Sequence, residues 1–161
     1  MTTEQSSSET WEMISSRLNP HLFSGNRLSG EAYQGSTSIN SNALLNRNRF
    51  DIPAKHVYAR FRENGVNSTW GLQVYDAHIR AFNNYFEGDL SGKNSFEEFL
   101  EAYDSLLDSI RISGFDKRKS IIPVASDYTA IDGAHRVAAC LYFREKLDIA
   151  KFAIPGDMYD Y

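Results

Sequence analysis

The stretch SLLDSIRISGFDKRKSIIPVASDYTAIDGAHRVAA, residues 105–139, decides how this chain is read. Within it, Ile131-Asp132-Gly133-Ala134-His135-Arg136-Val137-Ala138-Ala139 passes from a β-rich run into helical spacing. Gly133 permits a sharp turn or a close backbone approach. A helix start presents unpaired N–H groups and the positive end of the helix dipole, so an anion is favoured there. His135 and Arg136 add side-chain donors in the first turn, where an unpaired cation is mildly unfavourable. A phosphate opposite that turn explains two basic groups at the wrong end of a helix. The plainer reading makes Asp132 a simple N-cap and Arg136 a surface side chain.

Upstream of the motif, Ser95-Phe96-Glu97-Glu98 has capping-box spacing and predicts a helix over 95–112. Phe96, Phe99, Leu100, Tyr103, Leu106, Leu107 and Ile110 form its apolar face, and Gly114 supplies the stop. Ser120–Val124 and Tyr128–Ile131 read as a hairpin joined by Ala125-Ser126-Asp127. A helix over 133–146 follows, with Val137 and Leu141 inward. Phe152-Ala153-Ile154 reads as a closing strand.

Further upstream, Asp51 and Pro53 open a helix whose stripe is Ala54, Val57, Tyr58 and Phe61, ended by Gly65. Ser68 caps a second helix carrying Leu72, Tyr75, Ile79 and Phe82. Trp11, Ile14 and Leu18 suit a short amphipathic helix stopped at Asn19-Pro20. Residues 24–48 are rich in Ser, Asn and Gly and read as a long loop or arm. Met1–Ser8 offers nothing to bury, and disorder is expected there.

Composition limits the function. The chain has 161 residues, enough for one domain with a core, and is 42% hydrophobic and 24% charged. A net charge of -4 argues against bulk nucleic-acid binding, which needs many cations along the phosphates. Cys140 is the single cysteine, so no internal disulfide or cysteine metal cluster forms, and its Ala/Leu neighbours mark it as a buried small residue. No run approaches the roughly 20 apolar residues that span a bilayer. The polar N-terminus lacks a secretory pattern, so a cytoplasmic protein is the expectation.

With these residues in view, the stretch resembles the ParB/sulfiredoxin superfamily. The resemblance lies in a helix, a glycine turn, a Pro-x-Val strand, a second strand and a Gly-x-His-Arg-x-x-Ala helix start. It spans residues 96–141. It implies an α+β fold with a small mixed sheet at 84–161, while residues 1–83 fall outside it and read as an arm and helical extension that packs on the core. Ala134 stands where sulfiredoxins carry their cysteine, so sulfinic-acid reduction is not expected. The acidic charge and the short stretch after the motif argue against a partition protein.

The remaining branch is the free serine kinase type, whose Asp-Gly-x-His-Arg segment is similar to Asp132–Arg136. That similarity implies phosphoryl transfer from ATP or ADP, with Mg²⁺, to a small hydroxylated acceptor such as a sugar, polyol or amino acid. Asp132 and His135 would line the site, and Glu87 would be the base, with Asp89 in reserve. Mg²⁺ would be held mainly by phosphate oxygens and water, leaving no protein metal cluster. Gly133, Ala134, His135 and Arg136 would hold the phosphates, with Ser120 and Lys117 as further donors. Two alternatives remain open: a non-catalytic nucleotide-binding switch, and a ParB-like nuclease or DNA-binding protein.

Other residues read more plainly. Arg118 and Lys119 belong to a basic, solvated loop, and His78 is a core histidine between Tyr75 and Phe82. Lys55, His56 and His21 match no metal or catalytic pattern. Tyr159 and Tyr161 sit in a tail that could meet a partner.

Overall fold

The computed structural model describes residues 9–26, 28–65, 69–87 and 92–157. Met1–Ser8, Ser68, Asp89, Tyr159 and Tyr161, named above, lie outside the described residues. The fold is α+β. Its elements are α1 (Trp11–Ser15), β1 (Tyr33–Asn40), α2 (Asp51–Glu63), α3 (Thr69–Asn83), α4 (Phe96–Ser113), β2 (Ile122–Val124), α5 (Ala134–Phe143) and β3 (Lys146–Phe152). A 3-10 segment runs from Pro20 to Asn26 and another from Ser41 to Leu44.

The sheet has three strands in the order β1-β3-β2. β3 is central, antiparallel to β1 and parallel to β2. The parallel pair requires a crossover, and α5 supplies it. Three expectations are corrected here. The hairpin over 120–131 reduces to β2 and one isolated antiparallel bridge between Val124 and Ala130, because β2 takes its main partner from β3. The arm over 24–48 contains β1, whose polar sequence shows little of the apolar alternation that marks a strand. The closing strand ends at Phe152 instead of running through Ile154.

Alternation along β3 gives the sheet two buried faces. Leu147 and Ile149 face the helices, joining Leu44, Ile52, Tyr75, Tyr103, Leu107 and Val137 in one core. Ala150 and Phe152 face the other way, onto Ile14, Leu18, Leu22 and Leu28. Trp11 closes that second core edge-on against Phe23 and Phe152, at centroid distances of 5.9 and 6.0 Å. The N-terminal segment is therefore a lid over the sheet, and helix and strand segments from 1–83 and 84–161 share both cores.

Local chemistry sets the helices. Ser95 Oγ accepts the Glu98 N–H at 3.3 Å, and the Glu98 carboxylate accepts the Asn94 N–H at 2.8 Å, one residue ahead of the box partner expected. Gly114, at φ +70°, ends α4. The buried face of α2 is Asp51, Ile52, Lys55, Tyr58 and Ala59, turned from the stripe expected, with Ala54, Val57 and Phe61 only half-buried. On α3, Tyr75, His78 and Ile79 face inward while Leu72 and Phe82 are more exposed. No helix among the described residues is long and apolar enough to cross a membrane.

Candidate functional site

α5 begins beyond the carboxyl end of β2, the edge where open α/β sheets place their ligands. Gly133 is the N-cap residue, at φ +85°, and no side chain caps the helix. A Cβ there would lie 2.7 Å from Ile122 Cδ1 and 2.8 Å from Arg136 Nη2, so glycine is required twice over. Asp132 does not cap α5. Its carboxylate instead accepts from Arg136 Nη2 at 3.1 Å, and Arg136 Nη1 donates to Ser120 Oγ. The guanidinium is thus fixed across the turn.

The turn opens on a cleft of about 400 Å³. Its lining includes Asp132, Gly133, Ala134, His135 and Arg136 from the motif, Glu87 and Lys93 from the segment after α3, and Arg49, Asp51 and Lys55 around the start of α2. Glu87 is ion-paired with Lys93, and its N–H donates to the Lys93 carbonyl at 3.2 Å. The structure therefore brings together Glu87, Asp132, Gly133, Ala134, His135 and Arg136, with Ser120 bonded behind Arg136. Lys117 is not among the cleft-lining residues. It pairs with Asp148 at 3.2 Å and donates to Ser38 Oγ, near a separate depression formed by Ser109, Ser113 and Gly114–Lys119.

His135 differs from expectation in charge. Its ring packs against Tyr103 and Tyr75 at 4.7 and 5.8 Å. Desolvation, reinforced by the cations Lys55 and Lys93, holds its pKa well below the usual histidine range, so it is neutral. Its Nε2 lies 2.8 Å from Tyr75 Oη, which also reaches the Phe99 carbonyl at 3.3 Å. That carbonyl only accepts. All three groups are satisfied when Tyr75 donates to Phe99 and Nε2–H donates to Tyr75, which leaves Nδ1 as an acceptor. His135 is a hydrogen-bonding base here, and the positive charge comes from elsewhere.

That charge comes from Arg49 and Lys55, which carry no motif in the sequence. Arg49, Asp51 and Lys55 are 3%, 1% and 3% exposed. Arg49 grips Asp51 with both arms of its fork, at 2.8 and 2.7 Å, and donates to the Ala130 carbonyl. Lys55 Nζ lies 3.3 Å from Asp51 Oδ2 and 2.8 Å from His78 Nε2. Burial would raise the Asp51 pKa, but the Arg49 bonds and the Lys55 charge hold it well below the carboxylate range. Burial pushes Lys55 down to about 8 against the pull of Asp51, and pushes His78 down to about 3 with the help of Lys55. His78 is thus a neutral acceptor for the lysine.

Asn83 was also missed. It lines the cleft, and its Oδ1 is buried with no hydrogen-bond partner. An orphaned acceptor in a cavity wall is costly unless a ligand or water donates to it. The one signal in the sequence was Asp51 and Lys55 at i,i+4, in line with the apolar Tyr58 and Ala59. Nothing local points to Asn83.

These donors suit an anionic ligand with a phosphate. For Mg²⁺, no group of three or more His, Cys, Asp or Glu side chains able to hold a metal occurs among the described residues, and Asp51 is taken by Arg49. Asp132 and Glu87 are the carboxylates in the cleft that remain for it, each already paired with a cation. No family model matches the chain, and no curated protein or solved structure matches it.

Proposed function

We propose that the cleft binds the phosphates of ATP or ADP against the start of α5 and transfers a phosphoryl group to a hydroxyl of a small sugar, polyol or amino acid. One observation carries this reading. A carboxylate, Glu87, and the Asp132–Arg136 turn come from distant parts of the chain and line one cavity with Lys55 and Lys93. Phosphoryl transfer needs charge neutralisation around the moving group and an acceptor oxygen aligned behind it. The α5 amides and Arg136 supply the first. Glu87 takes the hydroxyl proton as the acceptor oxygen bonds to phosphorus and the bond to the nucleotide oxygen breaks. Asn83 Oδ1 receives a hydrogen bond from the ligand. Asp132, beside the phosphate oxygens, would be the carboxylate to hold Mg²⁺, which would supply further neutralisation of the phosphate charge.

The cavity volume lies within the range of small-molecule sites, roughly 300–1,000 Å³. The reading keeps the superfamily resemblance as its source for the roles of Glu87 and Asp132. Incubation with ATP or ADP, Mg²⁺ and pooled sugars, polyols and amino acids, read by mass, tests it. A phosphorylated product that forms only with intact protein is expected. Nucleotide binding without acceptor-dependent product would make the protein a binding switch instead.

A further inference from the structure

Four cations line the cleft, Arg49, Lys55, Lys93 and Arg136, against three carboxylates, Asp51, Glu87 and Asp132. Arg49 pairs with Asp51, Lys93 with Glu87, and Arg136 with Asp132. Lys55 is left sharing Asp51 with an arginine that already holds both of its oxygens. Among the described residues of the cleft, the surplus positive charge therefore rests on Lys55. A buried charge is expensive unless something of opposite sign meets it.

The ammonium is also held for a purpose beyond packing. It has three N–H donors. Asp51 Oδ2 and His78 Nε2 take two, at 3.3 and 2.8 Å, and fix its position on the cavity wall. The Tyr103 hydroxyl donates to the Lys55 carbonyl at 3.1 Å and anchors the backbone beneath it. Beyond those two bonds one N–H is left on the cleft side, where the Phe82 ring lies 5.9 Å from Nζ.

We infer that Lys55 is a second anion-binding point of the cleft, separate from Arg136, which takes an oxyanion of a phosphoryl group from the α2 wall. The inference shares with the proposed function only the premise that the cleft accepts a phosphate-like anion. It extends the site into α2 and α3, elements outside the stretch that resembles the superfamily.

The groups facing Lys55 fix how this is seen. They are Arg49 and Asp51 at the start of α2, His78 on α3, Glu87 beyond α3 and His135 on α5. His78 and His135 are neutral through the mildly alkaline range, so the lysine is the group among them whose charge changes there. A bound anion favours the ammonium and raises its pKa. By the same linkage, the anion binds more weakly once the lysine is neutral.

Protein carrying ¹³Cε-lysine is titrated by NMR alone, with saturating sulfate, which stays fully ionised, and with saturating ADP. Lys55→Arg identifies the Lys55 signal. In the free protein that signal should titrate near 8. Sulfate or ADP should raise its midpoint by about one pH unit or more, equivalent to about tenfold tighter binding by the protonated lysine. Lys55→Met should bind either anion at least tenfold more weakly at pH 7, and Lys55→Arg should keep affinity while losing its fall above pH 8. A Lys55 midpoint that neither anion moves, or no binding of either anion, overturns the inference. ADP binding without any Lys55 response would sink this inference and spare the kinase reading. A sulfate response without nucleotide binding would do the reverse.

Discussion

The Lys55 ammonium and the His78 imidazole meet at 2.8 Å, and the lysine is the donor. Burial, and after it the Lys55 charge, keep His78 from an ordinary titration. His78 stays neutral in the fold down to about pH 3, while an unfolded histidine protonates near 6.5.

The sign of the pH effect follows from that pair. Between pH 6.5 and 3 the unfolded chain binds the His78 proton and the native chain does not. Stability from this residue is fully present above 6.5 and drains away as the pH falls. Urea unfolding measured across that range should lose on the order of 4 kcal/mol more in the parent protein than in His78→Gln. Parallel pH profiles for the two proteins would show that the ring protonates freely in the fold.

Arg49→Met leaves the Asp51 carboxylate buried with one partner where it had two. Breaking such a pair from one side costs about 3–5 kcal/mol, read as a drop in the unfolding midpoint. Arg49→Lys should restore only part of it, because an ammonium cannot span both Asp51 oxygens and the Ala130 carbonyl. A loss below about 0.5 kcal/mol, the behaviour of a surface site, would mean the cluster is solvated.

Gly133→Ala places a methyl group against Ile122 and Arg136 at a backbone angle that L residues rarely adopt. The expected cost is about 1–3 kcal/mol in stability. Nucleotide binding should weaken as well, since Arg136 must move. Thermal unfolding and ADP titration of the same preparation check both effects.

Removing Arg136 and removing the Glu87 charge should separate binding from chemistry. Arg136→Ala loses a charge-assisted contact, so ADP should bind roughly 10- to 100-fold more weakly. Glu87→Gln should keep nucleotide affinity and slow turnover by roughly 100- to 10,000-fold. Full activity in Glu87→Gln with a true acceptor would remove Glu87 from the role of base.

Cys140 is fully buried, and desolvation pushes its thiol up to about 12. A disulfide reagent should therefore label it only as fast as the native fold opens, and at full rate in urea. Rapid labelling of native protein would show that α5 breathes.

Much of the helical frame was legible because each helix carries its own signals. Ser95, Glu98 and Gly114 bracket α4 within a few residues, and the Gly133 turn marks the start of α5. β1 was hidden by its composition. It reads Tyr-Gln-Gly-Ser-Thr-Ser-Ile-Asn, with little apolar alternation, and gains its hydrogen bonds from a strand more than a hundred residues later. The cleft was half legible. Asp132–Arg136 is contiguous and announces itself, while Arg49, Asp51, Lys55, His78 and Asn83 become neighbours only when α2 and α3 fold onto the sheet. Asp51 reads as a helix opener ahead of Pro53, while in the fold its carboxylate is held by Arg49 and Lys55.

The position of β3 shapes how the chain must assemble. Tyr33 pairs with Phe152 and Asn40 with Lys146, so the first strand made waits for the last. While a ribosome is still making residues before 146, β1 has no partner, and Trp11, Ile14 and Leu22 have no sheet to cover. Such long-range pairing slows folding, because a large loop must close before any strand contact forms. Early release of the chain would leave those apolar groups exposed, the state in which aggregation competes with folding.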